Sequence, residues 1–141
     1  MNWLFLLSNS LVLLKTLIQM NSFTAKSLNK IGVFTSGGDA PGMNAAVRAT
    51  VRTALYKNLE VIGIYQGYQG LLDKKFETLQ LGSMANVIQR GGTVLKSGRC
   101  EDFLKTEYRA QAAKNIKEAH IDALVCIGGD GSFRGAKALW D

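Results

Sequence analysis

The sequence predicts an α/β fold in which a parallel sheet is flanked by helices on both faces. Two observations predict it. From Lys30 onward, short apolar strand patterns alternate with helical patterns, and two of these strands run into the same Gly-Gly-Asp turn before a helix. Strands separated by helical crossovers form parallel sheets, because a tight turn cannot join parallel strands. With 141 residues and 47% hydrophobic content, the chain is long enough for one domain with a core.

The first elements follow in order from the apolar pattern. A strand is predicted at 30–35 and a helix over 42–57, with Pro41 in the opening turn of that helix. Proline has no backbone N–H, but the N–H groups in the first turn of a helix have no helical partner, so no hydrogen bond is lost there. A second apolar strand is predicted at 60–65, and its two following glycines indicate a loop over 66–73.

The middle of the chain gives weaker signals. Ser83 is placed to act as N-cap of a short helix that ends near Arg90, where two glycines stop it. A short strand is predicted at 93–96.

The last third of the chain returns to the alternating pattern. Thr106 is placed to cap a helix that runs to Ala119, and 122–127 is the most apolar strand, which predicts a central place in the sheet. Ser132 is placed to cap a final helix. The predicted architecture is a Rossmann-like three-layer sandwich, incomplete and corresponding to the N-terminal part of such a fold, with ligands at the carboxyl ends of the strands.

The two Gly-Gly-Asp turns, at 37–39 and 128–130, predict the chemistry. Glycine lets backbone N–H groups approach an anion closely, and the following helix adds the positive end of its dipole. The aspartate in each turn would repel a bare phosphate unless a divalent cation lies between them. The alternative is a tight strand-to-helix turn that needs glycine for its geometry alone. Because the turn occurs twice, we favour a metal–nucleotide site.

Several cations could contact further anions. Arg48 and Arg52 share one helix face at i and i+4, which costs free energy unless an anion accepts both. The segment 90–99 places cations among glycines and hydroxyls, and the planar guanidinium of Arg99 can bridge phosphate oxygens. A solvated helix face and an ordinary surface loop explain these two features nearly as well. Tyr65 or Tyr68 could stack on a base, although packing against their loop is the simpler interpretation.

Composition excludes other kinds of site. The net charge of +6 admits anionic ligands, but no basic run or motif indicates a nucleic-acid partner. The two cysteines and the single histidine lack the spacing of metal ligands, and a disulfide is not expected in a chain of cytoplasmic character. The loop carboxylates placed to hold a metal are Asp39, Asp73 and Asp130. No residue stands out as a general base for a substrate hydroxyl.

The first residues do not match the rest of the chain. Residues 1–19 are apolar but interrupted by polar side chains, and they are too short and broken for a membrane span. We interpret them as a spurious or disordered leader, with Met20 as the working start and 20–29 as a polar lead. The alternative is a membrane tether.

These segments together resemble the N-terminal part of the bacterial-type ATP-dependent 6-phosphofructokinases. The resemblance runs from Lys30 to Asp141 and rests on KIGVFTSGGDAPGMNAAVR at 30–48, GIYQGY at 63–68, RGGT at 90–93 and IGGDGS at 127–132. The Gly-Gly-Asp-Gly turn alone is less specific, because NAD kinases and lipid kinases carry a similar one. The combination is highly specific.

The resemblance implies an ATP site that uses Mg²⁺ as cofactor. The residues that it implies at the nucleotide are Gly38, Arg99, Cys100, Gly129, Asp130, Gly131 and Ser132. Asp130 would help to hold the Mg²⁺, and Arg99 is the possible phosphate stabiliser. Pyrophosphate-using relatives tend to have aspartate at the position of Gly131, so glycine there implies ATP as the phosphate donor.

The resemblance also implies an allosteric nucleotide site. Its residues on the first helix would be Arg48, Ala49, Thr50, Val51 and Arg52. Its second segment corresponds to 81–86, where this chain has Leu81 in place of arginine and Asn86 in place of aspartate. The implied assembly of the complete enzyme is a homotetramer.

The implied reaction of the full-length enzyme is phosphorylation of fructose 6-phosphate to fructose 1,6-bisphosphate in glycolysis. The family's Thr-Ile-Asp-Asn-Asp segment, which supplies the base for the sugar hydroxyl, is absent from these 141 residues. We therefore expect the chain to hold the nucleotide half of the site and to be inactive alone. The alternatives are an NAD- or lipid-kinase relative and a truncated, non-catalytic nucleotide-binding module.

Overall fold

A computed structural model describes residues 28–98 and 100–140 of the chain. The predicted leader at 1–19, most of the polar lead, Arg99 and Asp141 lie outside the described residues. The described strands form one sheet in the order β3-β2-β1-β4. Their bounds are β1 Lys30–Thr35, β2 Glu60–Ile64, β3 Phe76–Thr78 and β4 Ala123–Ile127. Strand β1 pairs in parallel with both β2 and β4.

Helices cover both faces of this sheet. Their bounds are α1 Met43–Tyr56, α2 Gly67–Asp73, α3 Thr106–Glu118 and α4 Asp130–Trp140. Two short 3-10 turns occur at Gly82–Met84 and Glu101–Leu104. No helix in the described ranges is both long and apolar enough to cross a membrane.

Alternating side chains along β1 divide the core into two layers. Ile31 and Val33 pack with Val47 and Val51 of α1 on one face of the sheet. Phe34 points to the opposite face, where it joins the core formed with α2 and α3. Because successive residues of a strand face opposite sides, one strand serves both layers. The predicted three-layer α/β sandwich is confirmed.

Two features of the predicted sheet are wrong. The sheet is mixed, because the unpredicted strand β3 pairs antiparallel with β2. Strand β4 was predicted to be central, but it lies at one edge of the described sheet, with all five of its residues half-buried. Its alternate residues pack against the two core clusters on opposite faces of the sheet, which accounts for its apolar character.

Local predictions between the strands also need correction. The segment predicted as a loop at 66–73 contains the helix α2. The helix predicted to end near Arg90 is only the 3-10 turn at Gly82–Met84, and 93–96 is not a strand. These errors share a cause: the segments take their shape from packing on the sheet, which local sequence patterns do not report.

The predicted N-caps of the last two helices are wrong, by one residue for α3 and by three residues for α4. Thr106 is the first residue of α3, whose N-cap is Lys105, and Ser132 is the third residue of α4, which begins at Asp130. The final helix therefore starts directly at the aspartate of the second Gly-Gly-Asp turn.

Candidate functional site

The two Gly-Gly-Asp turns lie side by side. Each follows the carboxyl end of a strand, and those strands, β1 and β4, are neighbours in register from Ile31↔Ala123 to Thr35↔Ile127. The pairing continues one residue beyond β1, where the Ser36 amide donates a 3.0 Å hydrogen bond to the Ile127 carbonyl. Parallel neighbours end at the same edge of a sheet, so one register places both turns together.

Gly128 allows this close approach of the two turns. A Cβ atom at this position would lie 2.6 Å from the Ser36 carbonyl oxygen and 2.5 Å from the hydroxyl of Ser132. Real Cβ contacts are not that short, and the first of them involves backbone that cannot swing aside. Any larger residue would therefore force the two turns apart.

A cleft of about 800 Å³ opens above the paired turns. Five residues that the sequence predicted at the nucleotide line it: Gly38, Cys100, Gly129, Gly131 and Ser132. The volume falls within the usual range of small-molecule sites. The sequence thus placed residues from three separate segments on one cavity.

Three glycines that line the cleft, Gly38, Gly129 and Gly131, have no packing role of the kind that Gly128 has. A Cβ atom added at Gly38, Gly129 or Gly131 would meet nothing within 4 Å. The space that their missing side chains leave is therefore open to a ligand, which could reach the backbone N–H groups. Helix α4 begins at Asp130 beside this space. The N–H groups at the start of a helix have no helical carbonyl to bond, although the Ser132 amide already donates to the Gly129 carbonyl at 3.0 Å. The arrangement suits a phosphate.

Asp130 supplies a single exposed carboxylate beside the cleft. It pairs with Arg134 one turn later in α4 at 2.7 Å, and both side chains are largely exposed. No group of three or more potential metal ligands occurs among residues 28–98 and 100–140. Mg²⁺ is commonly bound through one or two carboxylates together with substrate phosphates. The Asp130 carboxylate therefore fits a Mg²⁺ ion that arrives with a nucleotide.

Asp73, predicted as another metal-holding carboxylate, has a different role. It lies at the end of α2 and does not line the cleft. Lys75 and Gln69 donate hydrogen bonds to its carboxylate at 2.9 and 3.0 Å, and these bonds lower the pKa of Asp73. It ties the end of α2 to the start of β3. Asp39 is exposed in the first turn.

Tyr68 forms the floor of the cleft and contacts the second turn. Its hydroxyl donates a hydrogen bond to the Ser132 carbonyl, and its ring packs between Phe34 and Phe103. The sequence left two interpretations of Tyr68 open, stacking on a nucleotide base and packing against its own loop. The contacts of the ring in the structure favour packing. Gly135 permits the contact, because a Cβ there would lie 2.9 Å from the tyrosine ring.

Burial of Tyr68 predicts a pH effect on stability. Burial, followed by the charge of Cys126, raises the pKa of the Tyr68 phenol well above its ordinary value near 10. Above pH 10 the folded chain then holds a proton that the unfolded chain releases. The contribution of Tyr68 to the free energy of unfolding is therefore fully present below pH 10, and it falls as the pH rises above 10, by up to about 1.4 kcal/mol per pH unit. Denaturant titrations at pH 9 and pH 11 should show a smaller loss for Tyr68→Phe than for the unaltered chain. An equal loss would contradict this account.

Cys100 lies half-buried in the wall of the cleft. Its thiol donates a 3.4 Å hydrogen bond to the Gln69 side-chain oxygen, and burial raises the pKa of the thiol. The sulfur is therefore protonated at neutral pH and acts as a wall contact rather than as a nucleophile. Arg99, its neighbour, lies outside the described residues.

The predicted effector residues of α1 lie apart from the cleft. Arg48 is half-buried and donates a 3.2 Å hydrogen bond to the Met84 carbonyl, so it reaches the 81–86 segment that the resemblance paired with it. Arg52 and Ala49 are exposed and Thr50 is half-buried. Val51 is fully buried and cannot offer its side chain to a ligand.

Some lining residues were not predicted from the sequence. Among them are Glu101 and Leu104, which were not assigned to the site although both line the cleft. Glu101 and Leu104 belong to the 3-10 turn that directly follows Cys100. That adjacency is the signal that could have found them.

Comparisons with a family model and with individual proteins identify the same family. Residues 30–141 match the family described as phosphofructokinase. The chain is 57% identical over 112 residues to a protein of Staphylococcus epidermidis named ATP-dependent 6-phosphofructokinase, covering 79% of this chain and 35% of the relative. A protein of the same name from Halothermothrix orenii is 58% identical, with 79% and 34% covered. The chain thus spans about a third of the length of these curated relatives.

Solved structures agree with the sequence relatives. The T-state phosphofructokinase of Pichia pastoris superposes with a TM-score of 0.77 at 41% identity, covering 81% of this chain and 12% of that one. The phosphofructokinase of Saccharomyces cerevisiae gives a TM-score of 0.75 at 46% identity, with 79% and 15% covered.

Proposed function

Because the chain belongs to the phosphofructokinase family, we propose that it is the ATP-binding part of a 6-phosphofructokinase. The whole protein would transfer the γ-phosphoryl group of ATP to the 1-hydroxyl of fructose 6-phosphate, in glycolysis. The family match across 30–141 favours this reaction over that of an NAD or lipid kinase.

One observation carries the proposal: two glycine turns meet along a single cleft whose glycines leave their Cβ space empty. Gly38 lies on one turn, and Gly129 and Gly131 lie on the other. Packing does not account for these three glycines, whereas a phosphate chain that needs close contact with backbone N–H groups does.

In the proposed reaction, the bond from the γ-phosphorus to the β–γ bridging oxygen breaks and a new bond forms to the sugar oxygen. The sugar hydroxyl loses its proton to a base, and ADP leaves. The N–H groups of both turns would hold the phosphates in line and stabilise the charge on their oxygens. Asp130 would hold the Mg²⁺, which supplies charge neutralisation at the phosphates when bound. Arg99 would stabilise the transferred phosphate.

The second site of the proposal is the Arg48 face of α1. A nucleotide effector would contact Arg48 and Arg52, whose like charges then share an anion. The hydrogen bond from Arg48 to the Met84 carbonyl supports a site that joins α1 to 81–86. Leu81 is exposed there and offers an apolar contact where the resemblance implies a cation, so we expect weaker binding of ADP than in relatives with arginine.

The remaining proposals concern the protein's setting. A glycolytic kinase of this family would work in the cytoplasm, and the complete protein would assemble as a homotetramer. Neither a nucleic acid nor a membrane is a proposed partner.

Calorimetric titration of the 141-residue chain tests the proposal. Mg–ATP should bind with a Kd below about 1 mM, within the range of kinase substrates. Fructose 6-phosphate should give no binding heat, and a coupled assay should detect no fructose 1,6-bisphosphate. Failure of Mg–ATP to bind would overturn the proposed nucleotide site. Phosphorylation of fructose 6-phosphate by the chain would overturn its description as a half-site.

A further inference from the structure

Asn44, in the first turn of α1, binds the backbone of a distant loop. Its side-chain amide nitrogen lies 3.0, 3.2 and 2.8 Å from the carbonyl oxygens of Val87, Arg90 and Gly92. Its side-chain oxygen accepts a 2.8 Å hydrogen bond from the Val94 amide. The side chain is only 3% exposed. One buried residue therefore fixes four points of a loop that has neither helix nor strand.

Thr35 holds the same loop at a second place. Its fully buried hydroxyl lies 2.8 Å from the Lys96 carbonyl oxygen, which can only accept. The Thr35 proton is therefore used there, and the Thr93 hydroxyl, 3.0 Å away, must donate to Thr35. We call residues 87–96, with these contacts, the clamped loop.

The clamped loop leads directly into the cleft. Two residues after Lys96, Gly98 lines the cavity, and Cys100 follows it. Both holding residues come from the elements that flank the first glycine turn, since Thr35 ends β1 and Asn44 is the second residue of α1. The two polar clamps thus hold the segment that leads to Gly98, whereas Cys100 also has a hydrogen bond to Gln69.

We propose that Asn44 is a positioning residue for the nucleotide cleft, with Thr35 as its partner in the same task. The proposal rests on the proposed ATP site. Asn44 does not line the cleft, so it acts through the loop rather than on a ligand. Its removal would take the side-chain donor from the Arg90 and Gly92 carbonyls and the acceptor from the Val94 amide. The segment that leads to the cleft wall would then be released.

Asn115 provides a matched control. It is also a buried asparagine, 1% exposed, whose amide donates to two backbone carbonyls, those of Leu71 and Leu72, at 2.8 and 2.9 Å. These contacts join α3 to α2 on the other face of the sheet. Asn115→Ala therefore removes the same kind of buried amide without touching the clamped loop.

The experiment measures two quantities on the 141-residue chain and its variants. The first is the Kd for Mg–ATP, by calorimetry. The second is the rate of Cys100 alkylation by iodoacetamide without nucleotide, by peptide mass spectrometry. Asn44→Ala should raise the Kd by at least about 10-fold and the alkylation rate by a similar factor. Asn115→Ala should lower the melting temperature comparably and change neither quantity by more than about 2-fold.

Equal effects of the two asparagine variants on both quantities would overturn the proposal. If Asn44→Ala does not fold, Thr35→Val provides a second test, because it replaces the Thr35 hydroxyl with a methyl group of similar size. Thr35→Val should raise both the Kd and the alkylation rate, whereas Thr35→Ser, which keeps the hydroxyl, should leave both near the values of the unaltered chain. Unaltered values for Thr35→Val would overturn the proposal as well. If the unaltered chain fails to bind Mg–ATP, the proposed function fails, while the alkylation rates still decide whether the clamp sets the Cys100 wall.

Discussion

Gly131→Asp is expected to abolish ATP binding without unfolding the chain. A Cβ atom at this position has open space around it, and an acidic residue in the first turn of α4 is favourable for the helix dipole. The same carboxylate would enter the cleft where the proposal places phosphate. Repulsion of like charges a few ångströms apart in a partly desolvated site should cost several kcal/mol, so the Kd for Mg–ATP should rise at least about 100-fold.

Two variants separate the causes of that effect. Gly131→Asn has nearly the same size without the charge and should bind Mg–ATP more tightly than Gly131→Asp. Ala110→Asp adds the same charge at an exposed position of α3 that does not line the cleft, and it should leave the affinity within about 2-fold. Retention of full affinity by Gly131→Asp would show that the phosphates do not lie at this turn.

Gly70→Ala is expected to destabilise the fold more than any other single methyl addition to a glycine of the described chain. The new Cβ would lie 1.8 Å from the carbonyl oxygen of Tyr65 and 3.3 Å from Ile64. The clash is with backbone, so α2 must move away from the end of β2. Overpacking of this kind costs 1–3 kcal/mol and sometimes more, and we expect about 3 kcal/mol or more in the free energy of unfolding, measured by denaturant titration.

Gly82→Ala is the matched control for this loss. It lies in a 3-10 turn, and a Cβ there touches nothing within 4 Å, so the stability should change by no more than about 0.5 kcal/mol. Alanine is otherwise the better helix former by about 1 kcal/mol. A Gly70→Ala chain as stable as Gly82→Ala would therefore show that α2 does not pack on β2 as described.

The sequence was most informative where one chemical requirement fixes several residues. The sequence predicted both glycine turns, together with the strands that precede them and the helix after Pro41. An apolar strand pattern that ends in several glycines is compatible with few other local structures. The cleft could be predicted for the same reason, since the carboxyl ends of parallel neighbours meet. The family resemblance then added Cys100, which periodicity alone does not connect with either turn.

The remaining features depend on tertiary contacts. Helix α2 was taken for a loop because its two glycines looked like turn residues, whereas Gly70 is required by contact with the Tyr65 carbonyl. The irregular path of 87–96 has no local signal, because its backbone is paired with Asn44 and Thr35, which are about 50 residues away in sequence. Strand β4 was placed centrally on its apolar character, which does not distinguish the edge of a sheet from its centre.

The central claim is that both glycine turns bind one nucleotide, and NMR of the chain labelled with ¹⁵N-glycine tests it most directly. Among the 15 glycine amides, those of Gly38, Gly129 and Gly131 should shift together as Mg–ATP is added, with one apparent Kd. The amide of Gly63, which lies in β2 and does not line the cleft, should stay in place. Shifts confined to one turn, or no shift at either turn at saturating Mg–ATP, would contradict the account.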